Sequence, residues 1–433
     1  MTTTPTLNGA DLAWMMTATA LVLLMTPALG FFYGGMTGNK NVLNTILMSF
    51  TTLGFSLVAW ALVGYSLAFS PGSALLGDLR WMLLNHVNLA PGQSLSPTIA
   101  PVIYMAFQAT FAIITTALVS GGIIGRMRFQ AYLVFITLWI VCVYAPIAHW
   151  VWGGGWLGSL GALDFAGGTV VHVNAGVAAL VAALVVGNRT DYGRQAFVPG
   201  NVPFVLLGAA LLWFGWFGFN GGSAVASNGL AALAFVNTFL APAGTMVVWA
   251  LLDMRRLGKV TAIGIASAIV VGLVVITPAS GFVPPIWALV MGGLGAVPSY
   301  YAMQWRAKTP VDESLDVFAG HAVGGATGAI LTGVFAVKAW NTVQNGLIAG
   351  NPQQILIQAL AVAGAAAYSA LGTFVLLKVI GAVMPLRAAR QDQALGMDPT
   401  QHGEEAYTGG EGTVLVLPEI SPQPKLESAR AKA

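Results

Sequence analysis

Two histidines stand out because each follows small and apolar residues inside a stretch long enough to cross a membrane. His172 follows GALDFAGGTVV, which begins at Gly161, and His321 follows DVFAG, which begins at Asp316. An ionisable group inside a membrane helix is costly, so its presence indicates a functional site. A neutral imidazole offers one hydrogen-bond donor and one acceptor. We expect the two rings to be partners that pass a small uncharged polar molecule or relay a proton.

Burial disfavours the imidazolium, so we expect both rings to be neutral, or one proton to be shared between them. The alternative interpretation is a pair of core histidines, each satisfied separately by a backbone carbonyl or a hydroxyl.

Aromatic side chains near one end of the apolar stretches form a second set of candidates. They are Phe107, Phe111, Trp152, Trp216 and Phe219, and Ser223 follows them in FGWFGFNGGS. Aromatic faces attract a desolvated cation by roughly 2 kcal/mol, and a serine hydroxyl accepts a hydrogen bond from it. This pattern predicts a cation cage. The competing interpretation is an aromatic belt at the membrane interface, or simple packing.

Two aspartates precede the histidine stretches. Asp164 and Asp316 each stand where an acidic side chain caps the first free N–H groups of a helix. We expect capping to be the main role of both, and we expect Asp164 also to add negative potential beneath the cation cage.

The composition is that of a polytopic membrane protein. Of the 433 residues, 57% are hydrophobic and 8% charged, against about 25% charged in soluble domains. The net charge of +3 gives no reason to expect nucleic acid as a partner, because the basic residues lie in short loops. We expect no metal and no cofactor, since the histidines lack ligand spacing. We also expect no enzymatic activity, because the spans contain no paired carboxylates or nucleophile–base set.

A membrane-spanning helix needs about 20 apolar residues, and eleven stretches meet this length. They are 12–32, 44–69, 99–124, 129–149, 168–187, 202–222, 230–251, 260–278, 282–302, 317–337 and 354–384. The predicted organisation is therefore a short outer N-terminus (1–11), an eleven-helix domain (12–384) and a polar cytoplasmic tail (385–433). We expect the first span to be retained rather than cleaved, since no Lys or Arg precedes Lys40.

Basic residues orient the chain. All Lys and Arg except Arg80 and Lys338 lie on the side of the loops that follow odd-numbered spans. The positive-inside rule then places the N-terminus outside and the C-terminus inside. In the two related stretches, Asp164 precedes span 5 on the outer side and Asp316 precedes span 10 on the inner side. This predicts two inverted five-helix halves followed by a long final helix, with the site between the halves.

Beyond these inferences from single residues, the chain resembles the ammonium transporter family (Amt/Mep/Rh) over about residues 10 to 410. The resemblance rests on FYGG, AFQ, IAHWVWGGG, GALDFAGGTVVH, GWFGFNGGS, ALAFVNT, VITPASG, DVFAGHAVGG and GMDPTQHGEEAY. Phe107 and Trp152 favour the bacterial Amt branch over the Rh branch. The segment after Tyr407 has no counterpart in the family pattern.

The resemblance implies a homotrimer in the bacterial inner membrane, each protomer with its own pore for ammonium or ammonia and for methylammonium. It assigns substrate recruitment to Phe107, Phe111, Trp152, Ser223 and Asp164, the gate to Phe111 and Phe219, and the pore to His172, His321, Trp216 and Thr277. It also implies a cytoplasmic PII-type (GlnK-like) signalling protein as a partner, besides the lipid bilayer.

Two functions from different classes follow. The first is transport, in which an outer cage selects ammonium and an apolar pore passes ammonia, either with the proton or without it. The second is an ammonium sensor with secondary transport. A sensor of this kind would carry an added signalling domain, and a tail of about 49 residues is short for one.

Overall fold

The computed structural model describes residues 6–91, 97–194 and 197–407. Within them, eleven helices are long and apolar enough to cross a membrane, and we label them in chain order. They are α1 Gly9–Met36, α2 Asn39–Phe69, α3 Pro101–Gly122, α4 Phe129–Leu160, α5 Gly168–Val186, α6 Val202–Gly222, α7 Gly229–Leu257, α8 Ala262–Ala279, α9 Pro285–Arg306, α10 Phe318–Phe335 and α11 Gln353–Val383. Each overlaps one predicted span, so the predicted all-α fold with eleven membrane helices is confirmed. We call the end of the bundle that carries Gly9 the outer end.

Helix ends differ from the predicted spans where local chemistry overrides the apolar pattern. The first helix begins at Gly9, inside the predicted N-terminal segment, because the Asn8 side chain caps it by accepting the Ala10 N–H at 2.9 Å. In α4 the regular helix ends at Val151, and a further turn follows after three glycines, reaching Leu160. Side-chain capping and a glycine interruption do not register in a count of apolar residues.

The packing of the first five helices recurs in the next five. Helix α1 contacts α2 and α3, and α6 contacts α7 and α8 in the same way. Likewise α2 packs on α4 as α7 packs on α9, and α3 packs on α5 as α8 packs on α10. The long α1–α6 contact joins the two sets, and α11 packs against α4, α5 and α10. This repeated pattern is the arrangement expected of two five-helix halves.

A buried arginine ties three loops together at the inner end. The fully buried Arg126 side chain, in the α3–α4 loop, donates to the Gly187 carbonyl at 2.6 Å and to the Ser314 hydroxyl at 2.8 Å. It also donates to the Asp312 backbone carbonyl. The Asp312 carboxylate in turn receives two hydrogen bonds from the Arg189 guanidinium, at 2.9 and 2.8 Å. The α3–α4, α5–α6 and α9–α10 loops thus form one unit.

The charge states of this unit follow from burial and pairing. Burial lowers the pKa of Arg126 to about 10, which leaves it charged at neutral pH. Burial works against ionisation of Asp312, but Arg189 and Arg126 outweigh it and hold its pKa below the usual range. The unit therefore contains a carboxylate between two guanidiniums.

The first part of the tail packs against the inner end. The Asp398 carboxylate accepts the N–H groups of Leu43 and Asn44, at 3.0 and 2.8 Å, near the start of α2. Lys40 donates to two tail carbonyls at 3.0 Å, and the His402 ring lies edge-on to Phe129 with centroids 4.6 Å apart. These contacts order the tail as far as its described residues extend.

Asp316 was expected to cap α10, and that expectation is wrong. Glu313 does so instead, accepting the N–H groups of Val317 and Phe318 at 3.1 and 3.3 Å. Asp316 has a positive φ of 57° and forms an ion pair with Arg306. The turn carries the Asp316 side chain away from the helix start. Burial, and then the charge of Asp316, raise the pKa of Glu313 to about 8.

Replacing Arg126 with alanine should destabilise the folded protein severely, because it leaves Asp312 short of one partner and several carbonyls without donors. Removal of one member of a buried pair costs about 3 to 5 kcal/mol. Arg128→Ala is the matched control, since Arg128 is half-buried and its side chain has no ion pair among the described residues. Thermal unfolding of the purified proteins in detergent measures the difference. Equal melting temperatures for the two variants would contradict the role given to this unit.

Candidate functional site

The two histidines meet at the centre of the bundle. Nδ1 of His172 in α5 lies 3.2 Å from Nδ1 of His321 in α10, and both rings are buried. Their ring centroids are 5.3 Å apart. The prediction that the two histidines are neighbours is therefore correct, and separate satisfaction by carbonyls is not what the structure has.

Both histidines lie in a turn of π-helix at the start of their helices. The π turn spans Gly168–Val173 in α5 and Phe318–Val323 in α10. Such turns are rare and recur at functional sites, because one extra residue per turn re-aims the side chains of that segment. The sequence did not reveal this feature, since a π turn has no distinct residue pattern.

Glycines allow the two helices to cross closely enough for the rings to touch. A Cβ added to Gly176 would lie 2.3 Å from the backbone nitrogen of Ala322, and one added to Gly325 would lie 2.6 Å from the Gly168 carbonyl oxygen. Neither site has room for a side chain. Small residues at these crossings bring two membrane backbones together, and here they bring together the His172 and His321 rings.

The ring pair can both donate and accept hydrogen bonds. In the neutral pair, one Nδ1 carries the proton and the other accepts it. Nε2 of His172 has no hydrogen-bond partner among the described residues. It is thus available to a small polar molecule that reaches the site.

Trp216 fixes the orientation of His172. Its indole stacks on the His172 ring, with centroids 5.3 Å apart and planes inclined by 22°. The indole N–H donates to the Thr277 hydroxyl at 2.8 Å, and that hydroxyl donates to the Leu273 carbonyl at 2.7 Å. Trp216 and Thr277 therefore act as a support, with the indole N–H turned away from the ring pair.

A narrow apolar cavity adjoins the ring pair. Its volume is about 10 Å³, room for about one water-sized molecule. Besides the two histidines and Trp216, it is lined by Met25, Leu29, Ile114, Leu118, Val171, Leu212, Phe219 and Val270. None of these aliphatic lining residues was predicted from the sequence, because in a chain so apolar no pattern separates pore-lining from packing residues.

Two phenyl rings close this cavity on the outer side. Phe111 of α3 and Phe219 of α6 stack with centroids 4.1 Å apart and planes inclined by 24°. Both are buried, and Phe219 also lies 6.1 Å from the His172 ring. The predicted gate residues are thus in direct contact, one layer above the histidines.

The remaining aromatic candidates surround Phe111. Phe107 packs edge-on to it at 4.9 Å, and Trp152 does so at 6.0 Å. Ser223 donates its hydroxyl to the Phe219 carbonyl at 2.8 Å, which leaves the oxygen lone pairs able to accept. The structure therefore brings all four recruitment candidates other than Asp164 into one cluster at the outer end.

Asp164 occupies the start of α5 below this cluster. Each carboxylate oxygen accepts two backbone N–H groups, from residues 167 to 170, at 2.6 to 3.0 Å. Its main-chain carbonyl accepts the Trp152 indole N–H at 2.8 Å. Burial raises the pKa of Asp164, and the four N–H donors act in the opposite direction. Asp164 thus holds the first turn of α5 and positions Trp152.

On the inner side, His321 opens into a cavity of about 390 Å³, which we call the inner vestibule. Its lining includes Trp249, Asp253, Tyr300 and Asp316. His321 also borders the narrow cavity, so the ring pair separates the two spaces. The order from the outer end is the aromatic cluster, the phenyl pair, the narrow cavity with the histidines, and the vestibule.

Comparisons with known proteins identify the family and the structural relatives of this chain. The Ammonium Transporter Family matches residues 13–407. An ammonium transporter of Bacillus subtilis is 45% identical over 399 residues, covering 92% of this chain and 98% of that protein. The crystal structure of Candida albicans Mep2 superposes with a TM-score of 0.81 at 35% identity, covering 86% of this chain and 84% of the other. A sensor Amt protein superposes with a TM-score of 0.83 at 29% identity, covering 90% and 97%.

The family match and the eleven apolar helices together define a multi-pass protein of the plasma membrane. The relatives are named as transporters and not as enzymes. This chain belongs to the ammonium transporter family.

Proposed function

We propose that the protein carries ammonium nitrogen across the membrane through the path just described, as ammonium at the outer end and as ammonia past the histidines. The observation that carries the proposal is the direct contact of His172 and His321 between two cavities. An ammonia molecule is polar and uncharged, so a neutral donor–acceptor pair can bind it without a resident charge.

Recruitment is assigned to the outer aromatic cluster of Phe107, Phe111, Trp152 and Ser223. A cation that has lost part of its water gains about 2 kcal/mol from an aromatic face, and the Ser223 oxygen can accept from it. Asp164 contributes through negative potential and through its hold on Trp152, since its carboxylate oxygens are already engaged.

Dehydration and exclusion of the charged form are assigned to the phenyl pair. A bare cation in an apolar passage costs several kcal/mol, whereas ammonia does not carry that cost. Phe111 and Phe219, stacked at 4.1 Å, favour ammonia over ammonium at this layer. Ammonium gives its proton to water outside the gate, and that proton either stays outside or follows through the histidines. Recordings of electrical current across membranes with the reconstituted protein distinguish the two.

A second function, ammonium sensing, is favoured by one observation, the similarity to the sensor Amt protein. Transport and sensing can be distinguished by measuring the uptake of labelled methylammonium by cells that carry the full chain. The uptake is measured with and without competing ammonium. Transport requires saturable uptake that ammonium suppresses. A sensor in which transport is lost would give no uptake above that of control cells.

We further propose a homotrimer in the bacterial inner membrane, with a PII-type signalling protein bound at the inner face. The support is the family resemblance, together with a tail that packs on the α1–α2 connection through Lys40 and Asp398. An inhibitor bound at the inner face would lie over the inner vestibules.

His172→Ala should insert and fold but conduct poorly. Loss of one buried hydrogen-bond partner costs the permeant about 1 kcal/mol, so uptake of labelled methylammonium should fall roughly fivefold to tenfold, or the selectivity should change. His86→Ala, an exposed outer-loop histidine, is the control. Unchanged rate and selectivity in a folded His172→Ala protein would refute the assigned pore pair.

Trp152→Leu should raise the half-saturation concentration for methylammonium by up to about thirtyfold while leaving a passable pore, because it removes a cation–π partner and spares the apolar lining. Trp156→Leu is the control, since Trp156 packs on Trp150 outside the cluster. If both variants kept the wild-type half-saturation value, the alternative interpretation of Trp152 as part of an interfacial aromatic belt would be correct.

Phe219→Ala should let water into the outer end of the pore, because half of the phenyl pair is gone. Stopped-flow light scattering of proteoliposomes measures this as faster osmotic water flow, and methylammonium uptake should change with it. Phe217→Ala is the control, since Phe217 stacks on Phe235 instead, at 4.3 Å. Wild-type water flow and uptake in Phe219→Ala would mean that Phe219 only packs.

Deletion of residues 396–433 should leave an inserted trimer whose transport is reduced or no longer regulated, because the Asp398 and His402 contacts are lost. A pull-down of the host's PII-type protein at low 2-oxoglutarate should succeed with the full chain. Failure to bind under several nucleotide conditions, together with intact transport after deletion, would count against this partner.

A further inference from the structure

Four arginines converge on one cavity at the inner end, apart from the transport path. The cavity has a volume of about 810 Å³. It lies between the α5–α6 loop and the first tail residues, and is lined by Asn188, Arg189, Thr190, Arg194, Arg387, Ala388, Ala389 and Arg390. We call it the arginine pocket.

The positive charge of the arginine pocket is only partly balanced within the chain. Arg189 is paired with Asp312 at 2.8 Å. Arg387 donates to the Gln393 side-chain oxygen at 3.3 Å, a neutral partner. Arg194 and Arg390 have no carboxylate within 4.0 Å among the described residues, and both are exposed. Three guanidiniums without counter-charges repel one another and attract an anion.

The position of the arginine pocket relative to the membrane and its guanidinium donors indicate which class of anion it binds. The pocket begins at Asn188, two residues after α5 ends, and includes Arg387, four residues after α11 ends. It therefore lies at the level of the inner membrane surface. Guanidiniums match phosphate oxygens with paired hydrogen bonds. Basic pockets beside membrane helices on the cytoplasmic side bind acidic lipid headgroups.

We propose that the arginine pocket binds the phosphate group of an anion. The depth of the pocket favours the headgroup phosphate of an anionic phospholipid as the source of that group. Such a ligand would bridge the α5–α6 loop and the tail. These segments already meet through Gln393, whose side-chain oxygen accepts the Thr190 hydroxyl at 2.8 Å and whose amide donates to the Ala388 carbonyl at 2.9 Å. Binding therefore favours the docked position of the tail.

The positive-inside rule accounts for basic residues on this side of the membrane but not for their convergence. Arg255 and Lys259, at the inner end of α7, satisfy the same rule without lining this cavity. They provide a control with the same number of charges and similar exposure.

The test uses the purified full chain in detergent and measures its melting temperature while dioctanoyl phosphatidylglycerol is added. Dioctanoyl phosphatidylcholine and inorganic phosphate are added in parallel. We expect a saturable rise with phosphatidylglycerol and none with phosphatidylcholine. In the double variant Arg194→Gln/Arg390→Gln, the phosphatidylglycerol concentration that gives half of the rise should be about thirtyfold higher. Arg255→Gln/Lys259→Gln should behave as the wild type.

Each other outcome has a defined meaning. Inorganic phosphate could raise the melting temperature as much as phosphatidylglycerol does, and saturably. If Arg194→Gln/Arg390→Gln lacks this rise, the result supports the site and identifies a soluble phosphate as the ligand. The proposal is overturned if neither phosphatidylglycerol nor inorganic phosphate raises the melting temperature. It is also overturned if the two double variants show the same rise. A change of oligomer size in Arg194→Gln/Arg390→Gln also overturns it, because a neighbouring copy then supplies the counter-charge. Should that variant fail to fold, Arg390→Gln alone should raise the half-maximal concentration of phosphatidylglycerol about fivefold.

Discussion

The cost of a charge in hydrocarbon constrains this molecule more than any other single factor. The phenyl pair, the apolar cavity and the paired histidines each reduce that cost or avoid it. The two buried histidines are bonded to each other, so neither needs a charged partner within the membrane. Their contact depends on backbones that approach closely at Gly176 and Gly325. A methyl group at either position would push the helices apart and leave two polar rings unpaired in an apolar core, which is itself costly.

The path is graded in polarity from one end to the other. At the outer end, aromatic faces and one hydroxyl suit a partly hydrated cation. The phenyl pair and the aliphatic cavity that follow suit a neutral molecule. Beyond His321, the inner vestibule again has ionisable and hydroxyl-bearing side chains, including Asp253 and Tyr300. This order fits a permeant that changes its charge on the way, and it explains why rings and aliphatic chains occupy the centre.

Much of the architecture was predictable from the sequence, because eleven apolar stretches of sufficient length leave little choice in a bilayer. The histidine contact was predictable for a different reason: an isolated imidazole inside a membrane span needs a partner. The π turns around His172 and His321 were not, because no residue pattern distinguishes them from ordinary helix. The sequence predicts Asp316 as the cap of α10, whereas Glu313 caps it in the structure. Both residues precede α10, and only the backbone turn at Asp316, which the sequence does not reveal, decides which of them caps the helix. The arginine pocket combines segments far apart in the chain, so only the fold reveals it.

The buried arginine at the inner end has a consequence for how the protein moves. Arg126 belongs to the first five-helix half, and it is bonded to Ser314 and Asp312 in the connection that leads into the last helix of the second half. Many transporters with inverted repeats work by alternating access, in which one half rocks against the other around a fixed substrate site. Here such rocking would have to break a buried ionic unit, at a cost of several kcal/mol in every cycle. The fold therefore favours a rigid body for the proposed transport, with motion confined to side chains such as the stacked phenyl rings.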